Sequence, residues 1–184
     1  MFSLALTDDA ELFPLEVWHA EEFLAHLDRG REFIGQHVNF PNRATDLDSA
    51  RALLADNALK AAADGPRLFG IRLAGTLVGG VLYPAFDAAQ GVAEVGCWLE
   101  PTATGRGLIT RACRVLIDHA IHERGIHRVE WHVSSANAPS IAVARRLGMT
   151  REGVLREQYL YRGVRQDTEI WSVLAPEWKA AADR

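Results

Sequence analysis

A basic excess is absent from this chain: 20 Lys and Arg stand against 24 Asp and Glu, a net charge of −4. That argues against general nucleic-acid binding, which draws on clustered positive charge. No apolar run approaches the ~20 residues of a membrane span. The opening stretch, MFSLALTDDAELFPL, has no basic leader ahead of its apolar residues and does not read as a secretory signal. Cysteine is scarce. Cys97 and Cys113 are the only two, and they read as reduced thiols of a cytoplasmic protein rather than as a disulfide framework. No Gly-Lys-Ser/Thr ending follows the glycine loop at 105–107, which argues against nucleotide triphosphate hydrolysis. Thr110 stands where the dinucleotide fingerprint needs its third glycine. His119, His122 and His127 cluster without a His-Glu-x-x-His spacing or a cysteine pair, so no metal site is expected.

What is present fits one domain, residues 1–184, with 48% apolar residues and a core of ordinary size. Residues 3–7 read as a short strand. Apolar positions from Leu15 to Ile34 have helical spacing, interrupted near Gly30. A second helix runs from Asp46 to Ala63, with Asp46 or Asp48 near its cap, and stops at Asp64-Gly65-Pro66. Strands follow at Arg67–Leu73, Thr76–Tyr83 and Gly91–Leu99, the first two joined by an Ala74-Gly75 hairpin turn. Gly107–Arg124 is a helix capped by Gly125. Arg128–Ser134 alternates as a strand, and Pro139 opens a helix that Gly148 closes. Two last strands, near Glu152–Tyr161 and Arg165–Val173, meet at Arg162-Gly163. The order predicts a mixed α/β (α+β) fold with a largely antiparallel front. One parallel pair, the strands before Gly105 and at 128–134, is joined by a helical crossover.

Residues 91–110, GVAEVGCWLEPTATGRGLIT, carry the chemistry. A strand ends at Leu99, a glycine loop follows, and a helix begins at once. The first N–H groups of a helix have no internal partner and sit at the positive end of its dipole, so they suit a phosphate. Glycines let an anion approach that backbone.

Thr102-Ala103-Thr104-Gly105-Arg106-Gly107 resembles the Gln/Arg-x-x-Gly-x-Gly/Ala motif of the GNAT superfamily of N-acetyltransferases, with Thr102 at the position of Gln or Arg. Asn137-Ala138-Pro139-Ser140, Leu147-Gly148-Met149 and Glu152-Gly153-Val154-Leu155-Arg156 are similar to the patterns of its Rim-type (RimJ/RimL) ribosomal-protein N-terminal acetyltransferase branch. Trp98-Leu99, Arg31-Glu32 and Trp178 also suit that branch. The resemblance spans nearly the whole chain. It implies a seven-stranded, mostly antiparallel sheet with a splayed parallel pair, flanked by about four helices.

The same resemblance implies acetyl-CoA as cosubstrate, lying where the parallel strands part. The backbone of Cys97, Trp98 and Leu99 would pair with the pantetheine arm as an added strand would. Thr102 and the amides of Gly105, Arg106, Gly107 and Leu108 would hold the pyrophosphate, with Arg106 and Arg111 either adding charge or simply solvated. Asn137 would contact the cosubstrate, and Ser140 would give a proton to the departing thiolate. Read without the family, Asn137 and Ser140 are ordinary helix caps. Tyr159 and Tyr161 are alternative donors or an aromatic pair on a sheet face. Glu94, inside an apolar run, is either a desolvated general base for the substrate ammonium or a strand-edge carboxylate facing solvent or an arginine.

The expected reaction is direct transfer of acetyl to a primary amine without an acyl-enzyme, since neither cysteine has a sequence-level histidine partner. The branch implies a protein N-terminus as acceptor and a homodimer as assembly, with no nucleic acid, membrane or metal. The alternatives are a small-molecule amine or antibiotic as acceptor, a non-catalytic acyl-CoA-binding module, and a dinucleotide-dependent enzyme.

Overall fold

A bulge centred on a proline shapes the middle of this protein. The computed structural model describes residues 3–182, and among them eight strands form one sheet. They are β1 (Leu4–Ala5), β2 (Ala10–Pro14), β3 (Arg67–Leu73), β4 (Thr76–Asp87), β5 (Val92–Leu99), β6 (Arg128–Ser134), β7 (Thr150–Tyr161) and β8 (Val164–Leu174). Their spatial order is β1-β2-β3-β4-β5-β6-β8-β7. Every neighbouring pair is antiparallel except β5 with β6. Six helices accompany them: α1 (Ala20–Ile34), α2 (Phe40–Arg43), α3 (Leu47–Ala62), α4 (Leu108–Asp118), α5 (Ala138–Arg146) and α6 (Ala175–Ala182).

The ladder between β4 and β5 pairs Leu82 with Gly96 and Ala85 with Glu94, so Tyr83 and Pro84 face the single residue Val95. Pro84 has no N–H to give a ladder, and such a bulge bends its strand and sharpens the twist. At the same point the parallel pairing fails. β5 and β6 pair at Val92–Arg128, Ala93–Val129 and Glu94–Glu130, and no further. Beyond it β5 stays with β4 through Leu99, while β6 stays with β8 through Ser134. The two central strands therefore diverge into a wedge, and one backbone edge of Val95–Leu99 is left without a strand partner.

Two apolar layers sandwich the sheet. α4 and α5 pack Leu108, Ala112, Leu116, Ile117, Ile141 and Ala144 against Val81, Val95, Val129 and Trp131 on one side. On the other, α1 and α3 pack Phe23, Leu27, Leu53 and Leu54 against Phe13, Leu68, Leu77 and Trp98. Alternation along β5 sends Val95 to the first layer and Trp98 to the second.

Several expectations are corrected. The sheet has eight strands rather than seven, because β2 precedes the first helix. Its five residues, with Leu12 and Phe13 buried toward opposite layers, show no alternation to set them apart from the helical pattern that follows. The long first helix begins at Ala20, after one tight turn at Val17–His19, and it runs through Gly30 without interruption. A Cβ at Gly30 would stand 2.8 Å from Ile34 Cδ1 and 3.3 Å from Glu100 Cγ, so the glycine permits close approach of α1 to the end of β5. α2 and α6 raise the helix number to six. The helix expected over 107–124 is α-helical to Asp118, then widens into one π turn over His119–Glu123. Both hairpin turns are as expected: Ala74 and Gly75, like Arg162 and Gly163, all have positive φ, the type I′ geometry that matches strand twist.

Candidate active site

The wedge opens into a cleft of about 630 Å³, within the ~300–1,000 Å³ typical of small-molecule sites. Its floor is Cys97, Trp98 and Leu99. One wall is the loop from Ala103 through Gly105 and Gly107 to the first turn of α4. The second is Asn137, Pro139, Ser140, Val143 and Arg146 of α5, and the third is Phe33–Ile34 with Gln36–Val38 after α1.

The phosphate-binding expectation meets a fitting backbone. Gly105 and Gly107 have φ of +78° and +73°, with open space where each Cβ would stand. Gly107 is the N-cap of α4, and no side chain caps that terminus. Among the described residues, the N–H groups of Gly105, Arg106 and Gly107 donate to no backbone or side-chain acceptor, while Ala103 and Thr104 N–H turn inward to Glu100 and Pro101 carbonyls. A concave row of free donors at a helix start is chemically matched to a pyrophosphate.

Of the residues singled out from the sequence, Cys97, Trp98, Leu99, Gly105, Gly107, Leu108, Asn137 and Ser140 line this cleft. Thr102 does not. Its hydroxyl lies 3.5 Å from Glu100 Oε2. Arg106 is exposed beyond the lining, as is Arg111. Asn137 is the N-cap of α5 and accepts the Ser140 N–H at 3.2 Å through Oδ1, which leaves its amide N–H₂ for the cleft. Ser140 Oγ accepts the Trp131 indole N–H at 3.0 Å, and its own proton has no acceptor among the described residues.

Glu94 stands apart, as the last residue of the parallel pairing and about 10 Å of strand before Cys97. It is not part of the cleft lining. Its carboxyl is half-buried on the Trp98 face, 3.8 Å from His132 Nδ1. Burial pushes its pKa up, with His132 opposing and Glu130 adding to the rise. His132 Nε2 is also 2.8 Å from Glu130 Oε2. Glu130 accepts from Arg128, which in turn holds Glu152. The Glu-Gly motif residue Glu152 thus ties β7 to β6, and through the Ser172 hydroxyl at 2.8 Å to β8.

Tyr159 and Tyr161 stack, with centroids 5.5 Å apart and planes at 15°. The Tyr161 O–H donates to Gly35 O at 2.7 Å, so its proton is committed to the loop that forms the third wall. Arg31 braces the same loop, donating to the carbonyls of Pro41 and Ala44. Trp178 donates to Asp118 at 2.6 Å, joining α6 to α4. Cys97 and Cys113 are both free thiols. They are neighbours, and burial with Cys97 alongside raises the Cys113 pKa.

Sequence reading missed two cleft features. His37 lines the third wall, its pKa lowered by burial, in a loop without periodicity. A buried polar chain also runs beneath the floor. The Trp98 indole donates to His26 Nε2 at 2.9 Å, and His26 Nδ1 lies 2.6 Å from Glu100 Oε1. Arg29 Nη2 donates to the same carboxylate at 2.7 Å and to Leu77 O at 2.6 Å. His26 and Glu100 are 74 residues apart in sequence: one belongs to α1, the other follows β5, and only the fold joins them. A second cleft, of about 440 Å³, lies between α3 and α4 around Tyr83 and His119, away from these residues. Among the described residues, no group of three or more His, Cys, Asp or Glu could hold a metal ion.

A split parallel pair with a glycine-started helix at its mouth defines the class of acyl-CoA-dependent N-acyltransferases. The profile of the acetyltransferase (GNAT) domain matches residues 8–150, and the chain belongs to that family. It is 31% identical over 173 residues to the Probable N-acetyltransferase YjcK of Bacillus subtilis (strain 168), covering 89% of this chain and 93% of that one. It is 21% identical over 170 residues to the ribosomal-protein-serine acetyltransferase of Escherichia coli (strain K12), covering 92% and 95%. The solved RimL ribosomal L7/L12 α-N-protein acetyltransferase in complex with coenzyme A superposes with a TM-score of 0.88 at 20% identity, covering 94% of this chain and 97% of that one. The protein is therefore a GNAT acetyltransferase, with the mixed sheet and single parallel pair of that fold. No helix among the described residues is long and apolar enough to cross a membrane.

Proposed function

We propose that this enzyme transfers acetyl from acetyl-CoA directly to the α-amine at the N-terminus of a protein, of the ribosomal-protein type, as a homodimer in the cytoplasm. The observation that carries the reading is the wedge beyond Glu94 and Glu130, with free loop amides at one end and the Ser140 hydroxyl inside the same cleft.

Acetyl-CoA supplies an activated acyl thioester and a thiolate leaving group. The chain's own residues do the rest. The unpaired edge of Cys97–Leu99 offers backbone N–H and C=O to an amide-bearing arm, as an added strand. Gly105, Arg106, Gly107 and Leu108 donate N–H groups to the pyrophosphate. The Asn137 amide donates into the cleft and fixes the start of α5. Ser140, oriented by Trp131, aims its free proton at the sulfur as negative charge develops there. Glu94 accepts the proton of the incoming ammonium through water, since its carboxyl lies off the cleft lining.

An α-amino group titrates near 7.7–8.0 and a lysine near 10.4, a difference of about 3–4 kcal/mol in deprotonation at neutral pH. A base that acts through water suits the former. The homology to an enzyme named for ribosomal-protein serine supports the same acceptor. β7 is an unpaired sheet edge bearing exposed Leu155, Tyr159 and Leu160, which supports self-association.

The test is an acceptor screen, following thiol release from acetyl-CoA. Peptides beginning with Ser, Ala and Met are compared with the same peptides N-terminally blocked, with lysine-bearing peptides and with small amines. Turnover confined to free N-termini supports the reading. Turnover only on small amines moves the enzyme to the other acceptor class, and CoA binding without any turnover makes it a binding module. Light scattering reports the assembly.

A further inference from the structure

We infer that His26, on a helix of the opposite layer, is a positioning residue that sets acetyl-CoA affinity by holding the floor and the phosphate loop of the cleft in register. The inference rests on the cosubstrate site proposed above. An indole N–H can only donate, so His26 Nε2, 2.9 Å from it, must be the acceptor. The imidazole proton then sits on Nδ1 and donates to Glu100 Oε1 at 2.6 Å. His26 is fully buried and Glu100 is 4% exposed, so this tautomer is the one that leaves no donor facing a donor and no lone pair unmatched.

Each end of the chain reaches a different part of the cleft. Trp98 is floor. Its ring stands against Gly80, where a Cβ would overlap it, and edge-on to Phe40 with centroids 5.1 Å apart. Rotation of that ring would move the strand that pairs with the pantetheine arm. Glu100 is the hinge between β5 and the phosphate loop. Its N–H donates to Val78 O at 2.7 Å, and its carbonyl accepts the Ala103 N–H at 3.2 Å. Its carboxylate is held by His26 on one oxygen and by Arg29 on both, at 2.7 and 3.4 Å. The loop that presents Gly105 and Gly107 therefore departs from an anchor set by α1. The last turn of α1 and the residues after it form the third wall, so one imidazole joins the floor and two walls of the site.

The test uses the full chain and CoA as probe. Calorimetric CoA affinity, acetyl-CoA KM and kcat are compared for wild type, His26→Gln, His26→Phe, Trp98→Phe and Leu53→Ala. Gln can accept from the indole and donate to Glu100. Leu53→Ala loosens the same apolar layer without touching the chain of hydrogen bonds. Expected is a Kd and KM for the cosubstrate raised about tenfold in His26→Phe and several-fold in Trp98→Phe. The kcat of His26→Phe at saturation should stay within about twofold, and Gln should restore most of the affinity. Should His26→Phe fail to fold, His26→Gln against Trp98→Phe carries the same comparison. Unchanged CoA affinity in the folded variants overturns the inference, and so does an equal loss in Leu53→Ala at matched thermal stability. Wild type that binds CoA yet acetylates no amine sinks the functional reading and leaves the calorimetric comparison valid. No CoA binding by wild type overturns both.

Discussion

Trp131 donates its indole N–H to Ser140 Oγ at 3.0 Å, and that bond decides what the serine can do. A hydroxyl holding an incoming donor on its lone pair keeps its own hydrogen for another acceptor. The neighbouring cap bond, from Ser140 N–H to Asn137 Oδ1, fixes the first turn of α5 and so fixes where that hydrogen points. Ser140→Ala should lower kcat about 100- to 1,000-fold, the range for a lost transition-state donor, with little change in acetyl-CoA KM. Trp131→Phe should cost less, because the proton remains but loses its orienter. Steady-state kinetics on both variants checks this, with a melting curve for Ser140→Ala, which leaves a buried indole N–H unpaired at about 1–3 kcal/mol.

Gly107→Ala probes the loop. At φ +73° an alanine is strained by about 1–2 kcal/mol, and it places a methyl among the free amides. CoA affinity should fall about tenfold by calorimetry. Acetyl-pantetheine, which lacks the pyrophosphate, should be used as well as by wild type. An equal loss with both substrates would mean that the loop does not grip the pyrophosphate.

Much of this was legible in the sequence, for physical reasons that differ by region. β3, with its Arg67–Leu73 limits, and β6, Arg128–Ser134, were readable because alternation and turn residues bounded them. The glycine loop was readable because φ above zero needs glycine twice within three residues. β2 was hidden because a strand buried on both faces has no alternation. The His26–Trp98 bond was hidden because its partners are joined only by tertiary packing, and a buried histidine gives no local sign of what it bonds. The position of Glu94 off the cleft was hidden for a related reason. A strand residue's face follows from parity, but the point at which two strands part depends on a bulge in a third.

Arg128 and Glu152 set the acid limit of the outer sheet. The Arg128 guanidinium, with the Ser172 hydroxyl, holds the Glu152 carboxyl down at about 2. At Glu130, burial pushes upward but Arg128 and His132 outweigh it, and its pKa is lowered too. Carboxyls depressed in the folded state stabilise it above their unfolded values near 4.3 and lose that contribution as pH falls. Acid unfolding of wild type should therefore steepen between pH about 4.5 and 2. Glu152→Gln should flatten that part of the curve and lower stability at pH 7, by a modest amount because the pair is partly exposed. Tryptophan fluorescence against pH reads both.

Glu94 has the opposite sign. Burial raises its pKa, only partly opposed by His132 at 3.8 Å, so its ionised form is the costly one in the folded state. That arrangement stabilises the fold at low pH and weakens it as pH rises through the raised value. It also makes the carboxylate a stronger proton acceptor once formed. Glu94→Gln should then do two things together. Thermal stability at pH 7 should rise slightly, because the buried charge is gone. The kcat should fall, with its acidic limb, which in wild type lies above the ordinary glutamate range, abolished. The loss should be larger for a lysine amine, whose proton is harder to remove, than for an α-amine. A variant that loses stability at pH 7, or keeps both kcat and the acidic limb, would make Glu94 a structural carboxylate and leave the base to be found among other residues.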